Sequence, residues 1–177
     1  MPTLRNPRRG IVRLDLKPLP AAAAAALPDD RETAAQLLGA TLPAAWPLRD
    51  LLDVLPMQAA AGPDQERFGV WVMIERETNG VVGDVGFMGP PDDGVVEIGF
   101  SVIPDRRRRG YATEAAQAIV DWALHEPGIR SVIARCDADN EASIRVLERV
   151  GFVRTGKAGG QIRWRSGVPS EGFSPPP

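Results

Sequence analysis

Cysteine, histidine and tyrosine occur once each among the 177 residues, as Cys136, His125 and Tyr111. A single thiol forbids an internal disulfide. With no partner near it in sequence, and at the end of an apolar segment, Cys136 reads as inert core. His125 falls at the end of a helical segment, where its charge suits the helix dipole rather than catalysis. Long apolar runs are missing too, which excludes a membrane span. The alanines Ala21 to Ala26 are too few and too weakly hydrophobic for a signal-peptide core, and Pro20 and Pro28 bracket them, so a cytoplasmic location is expected. Nor is there an excess of basic residues. A net charge of −2 and a pI near 5.5 argue against general nucleic-acid binding.

What is present suffices for one core. A chain of this length buries a single domain without help from metal or disulfide. The expected division is an arm at 1–10 and a Pro-rich tail at 167–177, both disordered, around one domain at 11–166. Ile11 to Leu16 alternates as a first, edge-proximal strand. Asp29 or Asp30 can cap a helix through Thr33 to Leu38, and a helix over Leu48 to Leu55 follows Pro47 and ends at Pro56. Phe68 to Ile74 and Val81 to Met88 read as paired strands around the turn Thr78-Asn79-Gly80. Val95 to Ile103 is the next strand. Ala112, Ala115, Ala116, Ile119, Val120 and Ala123 recur at helical spacing, and Pro127-Gly128 stops that helix. Ser131 to Arg135 is a short buried strand, Asn140 to Val150 a second amphipathic helix ended by Gly151, and Gln161 to Arg165 a last strand. Trp46, Trp71 and Met57 are core residues or pocket walls.

The positive charge is concentrated in one place. Ile103-Pro104-Asp105-Arg106-Arg107-Arg108-Arg109-Gly110-Tyr111-Ala112-Thr113-Glu114 joins a strand to a helix through a basic turn. Such a turn aims unpaired backbone N–H groups, a helix dipole and fixed cations at one spot, which suits a phosphate-rich ligand. Gly110 lets backbone approach an oxygen without a Cβ, and Ala112 keeps the next turn narrow. The alternative is a solvated run of arginines. Glu97 shares one strand face with Val95, Gly99 and Ser101, opposite Val96, Ile98 and Phe100. A carboxylate lining a cleft there can take a proton, and burial would raise its pKa; the alternative is an exposed Glu or one paired with an Arg. Glu114 has a structural place in the first helical turn.

Arg107-Arg108-Arg109-Gly110-Tyr111-Ala112 resembles the coenzyme A loop, Q/R-x-x-G-x-G/A, of the GCN5-related N-acetyltransferase (GNAT) family. Two further segments stand in the family's order: Val96-Glu97-Ile98-Gly99-Phe100-Ser101-Val102-Ile103-Pro104 before it, and Asp139-Asn140-Glu141-Ala142-Ser143 with Gly151-Phe152 after it. Their detail is similar to the branch that acetylates ribosomal-protein N-termini. The resemblance implies an α+β (mixed α/β) fold, a strongly twisted, mostly antiparallel sheet of about six or seven strands flanked by about four helices. It implies acetyl-CoA as co-substrate, no metal, and transfer to a primary amine in a ternary complex, with no nucleic-acid or membrane partner and a homodimer left open. It places the pyrophosphate on Arg107, Arg108, Arg109, Gly110, Tyr111, Ala112 and Thr113. The pantetheine arm falls on the backbone of Ser101, Val102 and Ile103, where an N–H polarises the thioester. Asn140 would contact the arm, Ser143 would protonate the departing thiolate, and Glu97 would act as base; for Asn140 and Ser143 the alternative is helix capping. Many relatives carry a tyrosine acid where this chain has Leu147. That departure leaves open a second reading, an acyl-CoA-binding module that has lost transfer.

Overall fold

The computed structural model describes residues 13–167, so the expected arm, Ile11 and Val12, and the tail beyond Gly167 lie outside the described residues. The strands are β1 (Leu14–Pro18), β2 (Val70–Glu75), β3 (Gly80–Phe87), β4 (Val95–Val102), β5 (Ser131–Asp137), β6 (Val153–Ala158) and β7 (Gln161–Gly167). The helices are α1 (Ala21–Ala26), α2 (Arg31–Leu38), α3 (Arg49–Ala59), α4 (Pro63–Glu66), α5 (Tyr111–His125) and α6 (Glu141–Val150). They build one seven-stranded sheet in the order β1-β2-β3-β4-β5-β7-β6, antiparallel except where β4 runs parallel to β5. That is the α+β architecture expected from the sequence, with two short helices, α1 and α4, beyond those foreseen.

Each face of the sheet buries its own apolar layer. Trp71, Met73, Val85, Ile98 and Trp164 pack under α5 and α6, while Val72, Ile74, Val81 and Ile103 pack under α1, α2 and α3. A register shift between Met73 and Ile74 decides which β3 residue faces which layer. Strand side chains alternate, so Val82 and Asp84 would share a face in a regular strand. The irregularity sends Val82 into the α5 layer and leaves Asp84 facing α1 to α3, where the Trp46 indole meets it. The turn into β3 is the expected one, with Asn79 at φ 52°.

Several boundaries differ from expectation for local reasons. Pro56 lies inside α3 rather than at its end. It removes only its own N–H, its carbonyl still accepts from Ala60 N at 3.2 Å, and the last turn is anchored by Gln58, which is buried between Leu19 O (2.7 Å) and Val70 N (3.1 Å). Gly167 closes β7 opposite Ser131 instead of opening a disordered tail. β6 shows no alternation to read, because nearly all its side chains are exposed on the sheet's far edge. Cys136 is buried and accepts the Trp164 indole N–H at 3.2 Å, which accounts for it structurally.

Candidate active site

β4 is paired unequally on its two edges. Toward β3 the register runs from Phe87↔Ile98 to Gly83↔Val102, but toward β5 it stops at Ile98↔Ala134 although both strands continue. The two strands therefore part after Ile98. Antiparallel hydrogen bonding fixes which backbone groups line the opening. Ile103 N donates to Val82 O at 3.0 Å and Met88 N to Glu97 O at 2.9 Å, so the odd-numbered residues of β4 turn their backbone to β3. The N–H and C=O of Phe100 and Val102 face the gap instead. Arg107 Nε occupies the Val102 carbonyl at 2.9 Å. Of the three residues expected to offer main chain, Ser101 and Ile103 are thus turned the other way, Val102 keeps its place, and Phe100 joins it. Strand alternation holds the signal that could have found Phe100.

Two helices begin at this open end, because β4 and β5 are parallel and each runs forward into one. Gly110, in the left-handed region at φ 83°, starts α5, and Arg108 at φ 62° precedes it. The first helical bond is Glu114 N to Gly110 O, so the amides of Tyr111, Ala112 and Thr113 precede it and point outward. Arg107, Arg108, Arg109 and Gly110 are exposed. The loop is braced from behind. Arg106 pairs with Glu75 at 2.9 Å, and the Tyr111 hydroxyl donates to the same carboxylate. Tyr111's hydrogen bond holds Glu75 below the usual carboxylate range, while burial and that bond raise Tyr111. Arg13 reaches Arg109 O at 2.8 Å, and Glu114 ties the Arg13 and Leu14 amides to α5 at 2.8 and 3.0 Å. Glu114 is therefore an anchor, as its position suggested.

At α6, Asn140 Oδ1 accepts from Ser143 N at 3.1 Å, so its carbonyl oxygen is committed to the helix cap. Asn140→Ala is expected to cost about 1 kcal/mol of stability and Asn140→Asp little of it. Denaturant midpoints of the two variants measure the difference.

Glu97 is not the buried cleft carboxylate expected. Its side chain pairs with Arg135 at 2.9 Å across the β4–β5 junction, where β5 leaves this face open. Leu147 is 1% exposed and belongs to the core. The carboxylate that sequence reasoning missed is Asp84. Its Oδ2 accepts from Trp46 Nε1 at 2.9 Å and its Oδ1 from Ser101 Oγ at 3.0 Å. Burial pushes Asp84 up to about 6 against the pull of those two bonds, and the charge of Asp50 adds to the push. Part of the residue nevertheless stays open to solvent. Among the described residues no cluster of His, Cys, Asp or Glu is arranged to hold a metal ion, and no helix is long and apolar enough to cross a membrane.

A model of the acetyltransferase (GNAT) domain matches residues 13–153. The chain belongs to the GNAT acetyltransferase family. It is 33% identical over 123 residues to the uncharacterized N-acetyltransferase YjdG of Bacillus subtilis, covering 67% of this chain and 73% of that one. In fold it is similar to an acetyltransferase from Agrobacterium tumefaciens (TM-score 0.63, 23% identity, 95% of each chain). It is similar also to the microcin C7 self-immunity acetyltransferase MccE, whose structure holds acetyl-CoA and AMP (TM-score 0.60, 15% identity, 88% of this chain and 93% of that one).

Proposed function

We propose that this protein transfers the acetyl group of acetyl-CoA to a primary amine, a protein N-terminus or a small-molecule amine, by direct attack in a ternary complex. The observation that carries the reading is the end of β4–β5 pairing at Ile98, with Phe100 and Val102 left facing the gap. The two amides of a pantetheine arm supply the pairing that β5 withholds, and a backbone N–H at this edge is placed to polarise a thioester carbonyl. The Arg107–Thr113 loop fits a pyrophosphate through its amides and exposed guanidinium groups. Asn140 and Ser143 stand at the start of the second helix that opens on the same end of the sheet, suited to the thiol end of the arm. An α-amine near pKa 8 is deprotonated at neutral pH more readily than a lysine near 10.4, which favours N-termini and small amines as acceptors.

Acetyl-CoA at a hundredfold its dissociation constant is expected to stabilise the fold by about 2.7 kcal/mol, read as a rise in thermal midpoint. Gly110→Glu should abolish the rise, since it puts a like charge on the phosphate cradle and a side chain at φ 83°. An undiminished rise in the variant would remove the loop from the donor site. The buried Leu147, standing where many relatives have an acid, favours the transfer-deficient binding module as a second reading. Amine-dependent release of CoA separates the two.

A further inference from the structure

We infer that Asp84, acting through the Ser101 hydroxyl, is the group that takes the proton from the acceptor ammonium, and that the acceptor binds beside Ser101 on the face of β3 and β4 turned to α1, α2 and α3. The inference rests on the acetyl-transfer reading and adds to it the base and the acceptor's place.

Three observations converge. The register shift in β2–β3 turns Asp84 out of the α5 layer onto the face covered by α1 to α3. There it stands directly opposite Ser101, and the two side chains are hydrogen-bonded at 3.0 Å. Ser101 sits between Phe100 and Val102, the two residues whose backbone faces the gap, so its hydroxyl is one residue from the groups that would hold the thioester. Secondly, each Asp84 oxygen already accepts one bond, from Trp46 or from Ser101, and a carboxylate oxygen can accept two. The bonds orient the group without saturating it. Thirdly, the surface beside Ser101 is left open by the sequence. Gly99, next to Ser101 on this face, lacks a side chain, and the exposed tip of Met88 rests over it. Asp50, in the first turn of α3, adds a negative charge on the same side of the sheet and pushes Asp84 in the same direction as burial does. Glu97, on the same face, is engaged by Arg135.

The step balances as follows. Ser101 Oγ accepts a proton from the bound ammonium while passing its own to Asp84 Oδ1. The freed amine lone pair forms a C–N bond at the thioester carbonyl, the C–S bond breaks with its electron pair going to sulfur, and the second amine proton leaves with the thiolate. Asp84 then returns its proton to solvent.

The test uses the full chain, acetyl-CoA and glycinamide as the amine probe. Below about pH 6, kcat/KM of the wild type should fall tenfold per pH unit. Asp84→Asn should lose roughly a hundredfold at pH 7.5, and that limb with it, while acetyl-CoA still raises the thermal midpoint. A retained midpoint shift separates failure of the base from failure of the donor reading. The limb kept in Asp84→Asn, or lost in Glu97→Gln instead, overturns the assignment. The Trp46 indole N–H resonance gives a readout independent of turnover. Glycinamide should shift it, and lower the pH at which it titrates, in wild type but not in Asp84→Asn. An indole resonance that ignores glycinamide overturns the acceptor site.

Discussion

Replacing Trp46 by alanine is expected to destabilise the fold by about 3–5 kcal/mol, the cost of emptying a large buried aromatic site. Trp46 is fully buried among Leu51, Leu55, Val72 and Val81 in the layer beneath α1 to α3, so the vacated volume is walled by sheet on one side and helices on the other. Neither can collapse into it cheaply. The substitution also removes the donor to Asp84 Oδ2, leaving a deeply set carboxylate with Ser101 alone. Trp46→Phe separates the two effects through their pH dependence, since it keeps a six-membered ring in the site while losing the N–H together with the pyrrole part of the indole. Its cost should be nearer 1–3 kcal/mol and should grow with pH, as an unpartnered carboxylate resists ionisation. Denaturant midpoints for both variants at pH 5 and pH 8 measure the division; equal costs at the two pH values would show that Trp46 does no more than pack.

The second large effect has the opposite sign. Asp84→Asn should be more stable than the wild type above pH 6. The Asp84 carboxyl is raised from 3.8 to about 6 in the folded protein. Its favourable contribution is therefore complete below about pH 4, where the group is protonated in both states, and is lost as pH rises through 6. At about 1.4 kcal/mol per pKa unit, the native state carries an upper limit of roughly 3 kcal/mol of strain at neutral pH. Asparagine keeps the shape without the charge, its oxygen accepting from the Trp46 indole and its amide donating to a Ser101 hydroxyl that turns round to accept. The difference between the two proteins should be near zero at pH 4 and widen to its full value by pH 7, and a difference independent of pH would sink the prediction. A side chain retained at the expense of stability is what a working group looks like.

Much of this was legible in the residues. The strand–basic turn–helix segment around Gly110 carries its own geometry, because the left-handed glycine and the outward amides follow from local backbone rules. Asp30 at the start of α2 and Asn140 at the start of α6 are caps that any sequence reading finds, and both make the expected bond to the amide three residues on. Asp84 was not legible. Its direction depends on a one-residue irregularity in β2–β3, and without it the residue reads as one more polar position in a hairpin. The partner of Glu97 was hidden for a related reason. Alternation gave its face correctly but could not show Arg135, 38 positions later, arriving beside it on the parallel strand. Chain-local rules reach caps and turns, whereas which distant side chain answers a carboxylate is settled only by strand pairing.

The parting of β4 from β5 has a consequence for solubility. Phe100 and Val102 form an edge strand in the interior of a sheet, and a bare edge ordinarily invites a foreign polypeptide to add to it. This edge offers only two residues, Arg107 stoppers one of their carbonyls, and helices close one face. It is too short and too confined to template another chain. Under the proposed function, a thin arm with two amides and no side chains is the strand it admits, so the device that receives the donor also protects the protein from its own kind.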